Sequence, residues 1–566
     1  MLGVEGWKLE IRNLQSAIRN RAWRWDWILL GVGASIFWGA TTTPSAYFLH
    51  FDAGTQDVMA LSLNQGCWEY ATEKYFAILL LAFVFKILGA SVLWETLILI
   101  AASAVTVVGV YELTHLMTNS KWAGLMSALL LMSLPAFQYF SRTHLGYVTT
   151  LLVLAWWAVW HERWGWAGLL FSFAFAAHFN AAVAVGLSLG MLALFYLRAS
   201  NLPEKPVFLR STPQRSEVGE KTGFFSRHWK KWTHLVIAIL LPIVFIDFLF
   251  FLHNGQMFYW SLGTVGVSMR WSGVAAGAAP ALQLLNLLWL PQMVLGSNGI
   301  LLSILLALSL IAPVLLWKNH KAFAMIVAFL GTAIFYGAVG ATRESFVSRA
   351  LAPSYPFWAM GAGVVLSWLV DRLPKFKQIA LSGVVIVLGV SILSTGIFIR
   401  EFTQTLHPQV EAWILRAAKE GRPIRHVGNP WLVLFFAQAN QVEIVSGDNI
   451  WIEDNKPGQA MVIFEGGAPA SLNREGYRVE VIEMNRKADE AYPVIMREAM
   501  LASRYEAWMP TRPSEPIPPI DLARPQKSLT YHYSATTCVT PPPFGNGTLY
   551  YYQLVWKRLM ERVGFR

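Results

Sequence analysis

About a dozen apolar runs, each near the length of a membrane crossing, fill the first four hundred residues of this 566-residue chain. They cover roughly 27–48, 75–90, 92–114, 122–140, 146–161, 164–179, 181–199, 234–252, 299–317, 322–340, 356–370 and 379–399. A helix needs about 20 apolar residues to span a bilayer, and in lipid every backbone polar group must be satisfied within the segment. Repetition on this scale leaves one fold class, a polytopic α-helical membrane protein. Charged residues make up 14% of the chain, against about 25% in soluble domains. The net charge of +11 does not point to nucleic acid, because the Lys and Arg residues gather in short loops and at the N-terminus, as positive-inside topology requires.

Charge also sets the topology. Residues 1–25 read as a basic amphipathic helix on the cytoplasmic leaflet, not as a signal peptide. The loop 200–233, with Lys205, Arg210, Arg215, Lys221, Arg227, Lys230 and Lys231, is expected in the cytoplasm. That holds only if one early run does not cross. The 75–90 run is only about 16 residues long, short of a comfortable span, and carries Lys86, so it is assigned to the outer interface. About eleven crossings follow, with one large external loop over 49–91. External positions also go to 141–146, 253–297, 341–356 and everything after 400. Pro291 is expected to break 253–297 into a separate interfacial helix. From 401 to 566 a helix at 407–420 alternates with strands at 424–428, 442–445, 460–464 and 477–482, which predicts a small extracytoplasmic α/β domain with an antiparallel edge.

The external loop holds acids in a chain that otherwise avoids them: Asp52, Asp57, Glu69 and Glu73. A carboxylate just outside the bilayer can act as a general base on an acceptor hydroxyl. Asp52 is the first candidate. Asp57, five residues on, is the second, near enough to share a substrate or a divalent metal; solvated loop acids, or a helix cap at Asp57, fit the spacing equally well. Lys74, beside Glu73, can meet a lipid phosphate as a point charge or simply snorkel. Arg343 and Arg349 fall outside against the general bias and suit an anionic ligand, or an ion pair with Glu344. His144 can ligate a metal or donate near Asp52, although no second ligand is spaced to help it. His178 and Asn180 are polar residues at a helix end, where function and interhelical bonding compete. Cys67 and Cys538 allow a bridge or two free thiols.

In order along the chain, H-F-D-A-x3-D at 50–57, E-K-Y-F at 73–76, I-L-G at 87–89, S-R at 141–142 and S-R-A-L-A-P at 348–353 resemble the membrane glycosyltransferases of the GT-C fold. The likeness is to the protein O-mannosyltransferase and lipid A aminoarabinose transferase group, and it covers roughly 26–400. The resemblance implies transfer of a sugar from a polyprenyl-phosphate donor to a lipid, glycan or protein acceptor on the outer face of the inner membrane. It implies Asp52 as catalytic base, Lys74 as a contact of the donor phosphate, and Arg349 as the arginine before a late helix. Two departures stand out. Ala53 replaces the second acid of the family's Asp-Glu pair, and Arg142 leads to Gly146 and Tyr147 where relatives place another acid. His144 or Asp57 would then serve any metal or acceptor role. A glycolipid transporter or flippase, or a non-catalytic glycolipid-binding member, are the competing readings.

Overall fold

The computed structural model describes residues 25–42, 51–67, 74–201, 224–254, 258–264, 287–339, 349–447, 460–468, 470, 475–484, 502–511 and 530–533. Helices dominate. In order they are α1 (25–41), α2 (Phe51–Asn64), α3 (Tyr75–Leu88), α4 (Val92–Thr118), α5 (Lys121–Ser133), α6 (Pro135–Phe140), α7 (Leu145–Trp160), α8 (Trp164–Ala177), α9 (Ala181–Asn201), α10 (Phe224–Asn254) and α11 (259–264). Then come α12 (Trp289–Ala307), α13 (Ala312–Leu316), α14 (His320–Val339), a turn α15 (349–351), α16 (Tyr355–Asp371), α17 (Lys377–Phe402), α18 (His407–Lys419) and α19 (Pro430–Ala439).

Among the described residues, five helical stretches are long and apolar enough to cross a membrane: Val92–Thr118, Lys230–His253, Leu290–Leu316, His320–Ala338 and Pro374–Glu401. Other expected crossings are shorter helices, and in one the backbone breaks within the apolar run. The 122–140 run is divided before Pro135, whose ring cannot continue a helix through its own position. The carbonyls freed there are recaptured: Gln138 Nε2 donates to the Met132 carbonyl at 2.5 Å and Thr395 Oγ1 to that of Ser133 at 3.1 Å. Pro291 does not break a helix as expected. It sits in the first turn of α12, where a missing N–H costs nothing, and the kink falls instead at Gly299, with φ 75°. The basic loop expected at 200–233 is shorter than its charge suggests, since α9 runs to Asn201 and α10 begins at Phe224.

The loops sort into two ends. At one end Glu162 pairs with Lys231 (2.9 Å) and Lys321 (3.6 Å), and Asp26 with Lys121 (2.6 Å). All are segments that the charge pattern assigns to the cytoplasm. At the other end the segments assigned outside meet. Trp38 Nε1 donates to Ser141 Oγ (3.0 Å), the Tyr336 hydroxyl to the Asn180 carbonyl (2.8 Å), and the Ala136 amide to Asn298 Oδ1 (3.4 Å).

A six-stranded sheet follows the last long helix, in the order β4-β5-β3-β1-β2-β6: β1 (Ile424–Val427), β2 (Ile444–Gly447), β3 (Met461–Glu465), β4 (Tyr477–Glu483), β5 (Arg504–Pro510) and β6 (Thr530–Tyr533). β1 is parallel to β2 and β3, while β5 pairs antiparallel with both β3 and β4, and β6 antiparallel with β2. The first four strands and α18 lie where the alternation in the sequence predicts them. The antiparallel part is larger than one edge, because β5 is inserted between β3 and β4. The domain is bolted to the helical body. α19 lies along α2, with Gln438 Nε2 donating to Ser62 Oγ at 2.9 Å and the rings of Phe85 and Phe435 6.0 Å apart. One apolar cluster runs from Val58, Tyr75 and Phe85 through Val433, Leu434 and Phe436 to Ile463 and Tyr505. Cys67, just past α2, is disulfide-bonded; Cys538 lies outside the described residues.

Candidate functional site

The external loop is helical. α2 begins at Phe51, so Asp52 stands in its first turn, where the helix dipole favours an anion. Positions 52 and 57 are roughly 140° apart around the axis, so a helix does not offer them to one ligand in the way a loop might. The structure describes Asp52 by its backbone alone; Glu69, Glu73 and Arg343 lie outside the described residues.

Asp57 is fully buried, and so, at 4% exposure, is Glu95 in the first turn of α4. The two side chains are within hydrogen-bond reach of each other. Neither oxygen of Asp57, nor Glu95 Oε1, receives a hydrogen bond from a protein donor. Ionised carboxylates only accept, so two of them can satisfy each other only if one carries a proton. Burial, and then the Glu95 carboxyl beside it, hold the Asp57 carboxyl well above the usual range. Tyr147, two residues into α7, lies within electrostatic reach of both acids. Its hydroxyl too is buried without a hydrogen-bond partner.

The turn before α7 is held from three sides. Arg142 donates from Nε to Thr42 Oγ1 (3.2 Å), and from its two other nitrogens to the Gln138 carbonyl and Thr41 Oγ1. Its guanidinium lies over the Trp38 ring, 5.4 Å from the centroid. His144, which opens α7, stacks on His178 with centroids 5.0 Å apart and planes 20° from parallel. His178 Nδ1 in turn accepts the Asn180 amide at 3.1 Å. His144 is thus in an aromatic stack. Among the described residues no three His, Cys, Asp or Glu side chains gather into a metal site.

Lys74 does not snorkel. It occupies the N-terminal cap of α3 and is only 7% exposed, its carbonyl accepting from the Ala77 and Ile78 amides at 3.1 and 3.3 Å. Arg349 is half-buried and enters the turn at Ala352–Ser354, which packs against α6 and α7. The structure therefore brings Asp57, Tyr147 and His144 to one end of the bundle, and sets the turn entered by Arg349 against the helix that carries Tyr147.

The residue missed from the sequence is Glu95. An acid inside an apolar run deserves attention by default. Glu95 lies within the apolar run at 92–114, outside the acid-rich loop that drew the search. Ser91 caps α4, accepting the Leu93 amide at 3.2 Å, and Glu95 is turned inward.

No family model and no curated protein matches the chain. Among solved structures it is similar to ArnT from Cupriavidus metallidurans bound to undecaprenyl phosphate, with TM-score 0.48 and 13% identity over 87% of this chain and 99% of that one. It is also similar to the oligosaccharyltransferase of Archaeoglobus fulgidus in complex with Zn and sulfate, with TM-score 0.47 and 10% identity over 77% of this chain and 68% of the other.

Proposed function

We propose that this chain is a membrane glycosyltransferase that moves a sugar from a polyprenyl-phosphate-linked donor to a lipid, glycan or protein acceptor on the outer face of the inner membrane. The transmembrane unit over 26–400 performs the transfer. The N-terminus lies in the cytoplasm, and the α/β unit over 401–566 covers the outer face. The observation that carries this reading is the arrangement of α2 and α3. A helix with an acid in its first turn lies beside a helix that opens at a buried lysine, and the S-R and S-R-A-L-A-P segments of the motif series meet at the same end.

In this mechanism Asp52 takes the proton of the acceptor hydroxyl, whose oxygen attacks the anomeric carbon from the face opposite the phosphate. The bond from that carbon to the phosphate oxygen breaks, and polyprenyl phosphate departs with the electron pair, so configuration inverts. Lys74 and Arg349 stabilise the charge that grows on the leaving phosphate.

The test incubates purified protein in nanodiscs with a panel of polyprenyl-phosphate sugars and follows donor consumption. Wild type is expected to consume one or a few donors. Asp52→Asn is expected to fold normally and lose transfer by a factor of about 100 or more, the scale of a general base. An active Asp52→Asn enzyme sinks this assignment. Movement of a glycolipid across vesicles without bond cleavage would replace the enzyme by a flippase.

A further inference from the structure

We infer that Glu95 is a positioning residue: it shares a single proton with Asp57 across the junction of α2 and α4, and so fixes the acid-bearing external helix against the helical bundle. The inference rests on reading α2 as the helix that carries the base.

Three observations support it. Asp57 and Glu95 are both buried, on different helices, and reach one another. Their orphaned oxygens receive no protein donor, and buried polar groups in folded proteins are almost always satisfied. A shared proton supplies the missing donor; two bare carboxylates in contact would repel, and two neutral acids would leave one hydroxyl idle. Lastly, Asp57 faces inward from the same helix whose outer side packs on α19. The pair is therefore the polar fastening on one side of α2, with the sheet domain on the other. The other titratable groups at this end are Tyr147 on α7, which feels both acids, Lys74 and Tyr75 on α3, and Arg142, His144 and His178 beyond. Neither oxygen of Asp57 nor Glu95 Oε1 takes a hydrogen bond from any of them.

A group that holds its proton more tightly when folded stabilises the fold at low pH and loses that contribution as pH rises through its folded value. The fastening should thus be firm at low pH and loosen as pH rises through the pair's raised folded value. Glu95→Gln replaces the shared proton with an amide that donates to the Asp57 carboxylate at every pH. Glu95→Ala removes the partner.

Two readouts test this. The first is amide hydrogen exchange of residues 51–64 in nanodiscs between pH 6 and 9, corrected for intrinsic rates. Wild type is expected to lose protection of α2 as pH rises, by about tenfold, the effect of one pKa unit of linkage; Glu95→Gln is expected to stay flat. The second is kcat against pH. Glu95→Ala is expected to lower kcat at least about tenfold with KM for the donor little changed, and Glu95→Gln to restore it with the alkaline limb removed. Protection of α2 that does not vary with pH in wild type, or varies equally in Glu95→Gln, overturns the inference. If wild type consumes no donor, the transferase reading fails and the exchange experiment still decides the role of Glu95.

Discussion

Removing Arg142 tests how the outer end of the bundle is held. Its three donors bind Thr41 and Thr42 at the end of α1 and the Gln138 carbonyl of α6, and its plane rests on Trp38. One side chain thus joins the first helix to the turn that leads into α7. A hydrogen bond from a charged donor contributes about 1.5–3 kcal/mol, and a desolvated cation–π contact about 2 kcal/mol. Three such bonds and the ring contact would total about 6–11 kcal/mol. Most of that is offset by the cost of burying the guanidinium, which is several kcal/mol in its own right. Arg142→Ala is expected to destabilise by about 3–5 kcal/mol, the cost of breaking a buried charged network from one side. Arg142→Lys keeps the charge but cannot span three acceptors in one plane, and should lose about half as much. Unfolding by increasing SDS fraction in mild detergent, followed by tryptophan fluorescence, measures both, because Trp38 lies under the guanidinium. An Arg142→Ala protein within 1 kcal/mol of wild type would refute the clamp.

Two further outcomes follow from the packing and from the sheet domain. A methyl group added at Gly363 on α16 would overlap Ser127 Oγ and stand 2.9 Å from the Ala123 carbonyl of α5. Gly363→Ala should therefore cost about 1–3 kcal/mol, and adding Ser127→Ala should recover part of it in the same SDS titration. His426 on β1 is buried against Ser446 (2.9 Å), and burial, then the neighbouring His407, push its pKa down to about 3. A base depressed by folding gives stability that is complete above its ordinary value near 6.5 and is lost as pH falls towards 3. Up to about 5 kcal/mol is at stake. Melting of the sheet domain, read by tryptophan emission, should drop steeply between pH 6 and 4 and flatten in His426→Gln; a flat wild-type profile would contradict this.

How far the sequence reaches depends on whether the relevant force is periodic or contingent. Apolar runs fix a helical membrane protein because a bilayer accepts little else, and charged loops sort the segments into sides before any contact is known. Four of the six strands of the sheet are equally legible, since alternation and turn residues are local signals. Helix breaks were read less well. Pro135 divides a run that looked continuous, whereas Pro291 breaks nothing, because the cost of a proline depends on its place in the helix and not on its presence. The site was half visible. Asp52, Asp57 and Lys74 stood out as charges beside an apolar background, and a series of weak motifs gave them an order. Glu95 had the same chemistry but was not singled out, because it stands inside an apolar run and outside the acid-rich loop. The inward turn of Asp57 towards Glu95, the burial of Lys74 and the stacking of His144 on His178 are decided by which helices meet. Those meetings depend on shape fitted across residues dozens to hundreds of positions apart, which a local pattern does not record.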